Sequence, residues 1–114
     1  MGRKEERRIR ITGDKMLWYF FIEGRCKGNE EINWPFGYFV NVFISSKTID
    51  EAREITSKHL SDKGLDIIDI IDKGPFSSFS WKDEKFEKEF NRLAKIAEGI
   101  DEYPIFSKFE TWKL

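Results

Sequence analysis

Bulky apolar side chains crowd two short segments of this chain, Leu17-Trp18-Tyr19-Phe20-Phe21-Ile22 and Phe36-Gly37-Tyr38-Phe39-Val40-Asn41-Val42-Phe43-Ile44. Both read as β-strands, over about 16–25 and 36–45. A strand that covers a single core alternates apolar with polar residues, whereas these carry large residues on both faces. In the first, Trp18, Phe20 and Ile22 oppose Leu17, Tyr19 and Phe21; in the second, Tyr38, Val40, Val42 and Ile44 oppose Phe39, Asn41, Phe43 and Ser45. The sheet they build must hide two faces or leave one adhesive, and that points towards binding.

After residue 45 the period changes. Ile49, Ala52, Ile55, Thr56, His59 and Leu60 recur at helical spacing, Thr48-Ile49-Asp50-Glu51 has the form of a capping box, and Gly64 ends the segment. A third strand follows over about 65–72, rich in Ile and Asp. Strand–helix–strand over 36–72 reads as a right-handed crossover joining parallel strands. Lys73-Gly74-Pro75 breaks the chain, and Phe76, Phe79 and Trp81 lie in a Ser-rich loop apolar enough to fold over the core. A second helix is expected over about 82–98, with Phe86, Phe90, Leu93 and Ala97 inward and Lys82, Glu84, Lys85, Glu87, Lys88, Glu89 and Lys95 outward. Gly99 closes it, and residues 104–112 form a last strand opened by Pro104.

The expected fold is a two-layer α+β sandwich of order ββαβαβ, near the ferredoxin-like group. Two helices pack on one face of a four- to five-stranded mixed sheet. Residues 1–12 are a charged tail, or a short edge strand around Arg8-Ile9-Arg10-Ile11-Thr12, and 13–114 form a single α+β domain.

Composition narrows the function classes. The chain has 114 residues, enough for one unstapled core, and its 11 Phe and 4 Trp supply the area to build it. Lys+Arg 20 against Asp+Glu 21 leaves a net charge of −1, so no global field draws the chain to nucleic acid or an anionic membrane. Cys26 stands alone, which excludes an internal disulfide, and one Cys with one His falls short of a structural zinc site. No apolar run approaches the roughly 18 residues of a membrane span, and no signal-peptide core opens the chain. Cytoplasmic localisation is the default expectation, with no metal and no cofactor.

Candidate chemistry is sparse. His59 lacks converging partners, and Cys26, between Arg25 and Lys27 in what reads as a loop, has no base beside it. Asp66, Asp69 and Asp72 recur every third residue, so strict alternation puts Asp66 and Asp72 on one face and Asp69 on the other, where they serve to blunt a sheet edge. Phe36-Gly37-Tyr38-Phe39-Val40 shares part of the RNA-stacking strand of RNA-recognition motifs, but Trp34 and Pro35 replace its basic residue and first glycine, and Val40 lies one position late. The long connection between the first two strands carries Arg25, Lys27, Glu30, Glu31 and Trp34, charged groups around a tryptophan that suit a recognition tip. With Phe39 and Phe43 from the second sheet face, these form the expected partner-binding set.

The run from Gly37 to Ile44, followed by Asp50-Glu51-Ala52, Leu60, Gly64, the Ile/Asp strand and the closing segment with Trp112, resembles small uncharacterised bacterial α+β domains of about this length. The build also resembles immunity proteins that neutralise bacterial toxins, an analogy of size and class. The first functional expectation is therefore a non-catalytic protein-interaction module, with toxin neutralisation its sharpest form and a homodimer its simplest. The alternatives are a nucleic-acid-binding domain using the basic N-terminus (Arg3, Lys4, Arg7, Arg8, Arg10) and sheet aromatics, and a small-molecule-binding domain or enzyme. The last requires a sheet–helix pocket lined by some of Tyr19, Tyr38, Asn41 and His59.

Overall fold

In the computed structural model, which describes residues 15–27 and 35–114, β1 (Met16–Cys26) and β2 (Phe36–Ser46) pair antiparallel along their whole length. Trp18 lies opposite Ile44, Phe20 opposite Val42 and Ile22 opposite Val40, so the large residues of one face are brought together pair by pair. Helix α1 (Ile49–Asp62) follows, capped by Thr48, whose Oγ1 accepts from the Glu51 amide at 3.1 Å. The Glu51 carboxylate reaches back to the Lys47 amide, 3.3 Å away. Strand β3 (Leu65–Pro75) runs three residues beyond its expected end, and a 3₁₀ turn (Phe76–Ser78) leads to α2 (Glu84–Glu98), capped by Asp83. The closing strand is split into β4 (Ile105–Phe106) and β5 (Glu110–Lys113), both paired with β2. The charged tail or edge strand expected at 1–12 lies outside the described residues.

The strand order is β3-β1-β2-β4, with β5 also on β2. All ladders between these strands are antiparallel, in place of the mixed pairing expected. The crossover through α1 does leave β2 and β3 running in the same direction, but β1 inserts between them and pairs antiparallel with each. Among the described residues, parallel pairing appears only as a single bridge, Ser45 with Asp101.

The two helices take opposite faces of the sheet, not the same face. Trp18, Phe20, Ile22, Tyr38, Val40, Val42 and Ile44 are buried with Ala52 and Leu60 of α1. Tyr19 and Phe43 are buried on the other side with Phe90, Leu93, Ala94 and Ala97 of α2. Each helix thus forms a helix-on-sheet layer with its own face, which is why both strands are apolar on both sides. Phe76, Phe79 and Trp81 extend the cover of the second face, as their composition demands.

Strand β3 solves a conflict between a three-residue repeat and a two-residue pleat. Its register on β1 shifts twice, so that Ile70 opposes Ile22, Ile67 opposes Gly24, and Asp72, Asp69 and Asp66 oppose Phe21, Glu23 and Arg25. The two β-bulges leave Ile68 and Ile71 over as exposed extra residues. All three aspartates therefore lie on the face of Tyr19 and Phe21, which corrects the alternation expected from sequence. Ile67 and Ile70 meanwhile join the α1 core. As the last strand on its side among the described residues, β3 is also a charged, bulged edge.

Candidate functional site

Helix α2 covers only part of the second sheet face. Its buried residues, Phe90, Leu93, Ala94 and Ala97, sit over Tyr19 and Phe43; its first turns stand off the sheet, and Phe86 is 57% exposed instead of buried in the inner stripe. Between these turns and the sheet opens a cleft of about 500 Å³. Phe21, Phe39, Tyr19 and Asn41 make its floor, Trp81, Phe86, Glu89 and Phe90 one wall, and Ser107, Lys108 and Glu110 the other.

The walls are mutually braced aromatics. Phe21 and Phe39, from adjacent strands, stack with centroids 5.4 Å apart and planes 26° from parallel. Trp81 meets Phe90 edge to face at 4.7 Å and stacks on Phe79 at 5.9 Å, while Phe86 stacks on Phe90 at 5.8 Å. Tyr19 is enclosed by Phe43, Phe79 and Trp81. At the far edge Trp112 packs on Phe39 at 4.8 Å. The indole lies so close over the backbone that a Cβ at Gly37 would come within 2.4 Å of it.

A short polar chain crosses the floor. The Tyr19 hydroxyl donates to Asn41 Oδ1 at 2.5 Å, and the Asn41 amide Nδ2 points to Ser107 Oγ at 3.4 Å. Ser107 sits in the break between β4 and β5, where its Oγ accepts from the Asn41 backbone amide at 2.9 Å and its own amide donates to Asn41 O at 2.8 Å. The serine hydroxyl thus replaces a strand carbonyl, and the ladder interruption becomes a cleft wall. Burial, and then the negative charge of Asp72, push the Tyr19 phenol above its ordinary pKa, so it stands as a neutral donor. Glu89 is held by Arg92 through a forked ion pair, 3.0 and 3.1 Å.

The expected partner-binding residues scatter. Phe39 is in the cleft floor. Phe43 is fully buried against Phe90 and Phe76 and presents no surface to a partner. Arg25 and Lys27 are exposed at and just beyond the end of β1, away from the cleft lining. Glu30, Glu31 and Trp34 lie outside the described residues. Of the four residues expected to line a small-molecule pocket, Tyr19 and Asn41 do so. Tyr38 belongs to the α1 face, and His59 places Nδ1 3.0 Å from Ile55 O and its ring against Tyr103. Cys26 is not a loop residue but the buried last residue of β1.

From sequence, Trp81 is expected over the core, Phe86 in the inner stripe of the second helix and Glu89 on its outer face, and none of these, nor Ser107, Lys108 or Glu110, is expected as a site residue. The one available signal was the broken alternation Phe106-Ser107-Lys108-Phe109, which marks a strand interruption. Among the described residues no three His, Cys, Asp or Glu side chains are grouped to hold a metal ion, and no helix is long and apolar enough to cross a membrane. The cleft offers ring faces, an amide, carboxylates and one ammonium, groups suited to recognition. No protein-family model matches the chain, and no curated protein or solved structure is significantly similar to it.

Proposed function

We propose that the chain is a non-catalytic ligand-binding domain that takes a small, largely apolar molecule into the aromatic cleft between the sheet and the start of α2. The observation that carries this reading is the cleft itself: about 500 Å³, floored by Phe21 and Phe39 and walled by Trp81 and Phe86, with a few polar groups at fixed places. Volume and lining both fall within the ordinary range of small-molecule sites. The floor belongs to paired strands and the aromatic wall residues brace one another, so little ordering entropy remains to be lost on binding.

A fragment library screened by amide NMR on the full chain tests it. Hits should shift Phe39, Asn41, Trp81 and Ser107 together, and Phe86→Asp should weaken them about ten-fold or more. A screen in which these amides never move, or in which Phe86→Asp binds as well as the parent, sinks the reading.

A second reading, a protein-interaction module, draws on the rim. Phe86, in the cleft lining, is 57% exposed, and Trp112, packed on the floor residue Phe39, is 36% exposed. A second copy or another protein could bury them while inserting a side chain into the cleft, in the manner of an anchor residue. Sedimentation at increasing concentration separates the cases: self-association abolished by Phe86→Asp supports the homodimer.

A further inference from the structure

Resting on the reading of the cleft as a ligand site, its charge narrows the ligand class. Aromatic rings present electron-rich faces, and a cation over such a face is attracted most strongly where water is excluded. The cleft is walled by six rings, with Phe21, Phe39, Trp81 and Phe86 among its lining residues.

Carboxylates gather on the same side of the sheet. Glu89 and Glu110 are in the lining itself. The two bulges of β3 turn Asp69 and Asp72 onto this face, opposite Glu23 and Phe21, where strict pleating would have sent Asp69 away. The negative charge of Asp72 is felt at the Tyr19 hydroxyl, in the cleft floor. Against these stand Arg25, on the same face opposite Asp66, Arg92, engaged by Glu89, and Lys108, which is exposed and makes no ion pair among the described residues. Its long stem lets the ammonium leave the cleft for water. An anionic ligand would meet surplus negative charge there, and an uncharged one would make no use of it.

We propose that this cleft binds an organic cation, an alkylated or quaternary ammonium group seated among Phe21, Phe39, Trp81 and Phe86 with Glu110 as counter-charge. Such a group is too weakly hydrated to resist transfer into an aromatic box, and too bulky to be held by a carboxylate alone.

The test titrates the full chain with choline and with its uncharged tert-butyl isostere, in which carbon replaces nitrogen, followed by amide NMR. The cation should bind about ten-fold more tightly than the isostere. That preference should shrink several-fold in Glu110→Gln while affinity for the isostere stays the same. Equal affinities for the two probes would overturn the cation assignment and leave the cleft standing as an apolar site. If neither probe moves Phe39, Asn41 or Trp81, or the shifts fall only outside the cleft, the cation assignment fails. If the fragment screen is silent as well, the ligand-binding reading falls with it.

Discussion

The Tyr38 ring passes directly over Gly24, its cross-strand partner, and donates a hydrogen bond to the backbone carbonyl of Asp66 one strand further on, at 3.0 Å. One side chain of β2 thereby spans β1 to reach β3. The crossing needs a bare backbone, since a Cβ on residue 24 would lie 2.2 Å from both Asp66 O and Tyr38 Cζ. Gly24→Ala should cost about 3 kcal/mol, because a backbone oxygen cannot step aside as a side chain can. Tyr38→Phe, which loses only the hydrogen bond, should cost about 1 kcal/mol. Urea denaturation of both variants checks the difference; an Ala variant as stable as the parent would contradict the crossing.

Thr56 offers the opposite case. Its Oγ1 is buried on the α1 face with no hydrogen-bond partner among the described residues, and the space beside it, between Phe20, Ile22, Ile67 and Ile70, admits no water molecule. Thr56→Val keeps the shape and removes the stranded hydroxyl, so it should stabilise the fold by about 1 kcal/mol. A shift of the urea midpoint to higher concentration, with unchanged slope, is the expected result.

Because the helices cover opposite faces, their cores are energetically separate. Ile22→Val on the α1 side should cost about 1 kcal/mol and Leu93→Ala on the α2 side about 3 kcal/mol. The double variant should show the sum to within about 0.5 kcal/mol. A coupling well beyond that would mean the sheet transmits strain between the two clusters.

The tyrosines predict alkaline unfolding. Tyr38 is pushed up to about 12 from an ordinary 10.0, first by burial and then by the charges of Asp66 and Cys26. Tyr19 is raised as well, by burial and Asp72. A phenol whose folded pKa exceeds its unfolded value contributes stability that is complete below pH 10 and is lost as pH climbs through the folded pKa. Denaturation midpoints should hold steady up to about pH 9.5 and fall steeply above it, and Tyr38→Phe should flatten part of that fall. Phenolate absorbance titrated on the native chain reports the two groups directly.

Much of the build was legible from side-chain pattern. The hairpin strands, the face assignments of Trp18 to Ile22 and Tyr38 to Ile44, the Thr48 cap and the folding-over of Phe76 to Trp81 all follow from local rules, because the residues that decide them are neighbours in sequence. Two features were not legible. Double-sided apolar strands demand two covers, yet nothing local says that α1 takes one face and α2 the other. The face of Asp69 depends on bulges that arise only when β3 must match β1. The cleft was half legible: Tyr19, Asn41 and Phe39 stand on strands whose faces could be read. Phe86, Ser107 and Glu110 join them only because the start of α2 stands off the sheet and the last strand breaks at Ser107. The argument from excess ring surface to an external partner also changes weight. Trp18, Tyr19, Phe20, Tyr38, Phe43 and Phe90 are all buried within one chain, and among the described residues the exposed rings are Phe86 in the cleft lining, Trp112 beside Phe39 and Tyr103 beside His59.

Strand β1 is flanked on both sides by segments made after it. During synthesis the β1–β2 pair must therefore wait, one flank bare, until α1 has emerged and Leu65–Pro75 can zip on. That interval is when Trp18 to Ile22 offer nascent chains their stickiest template, so the window between the second and third strands is where a ribosome-bound chaperone would do this protein the most good.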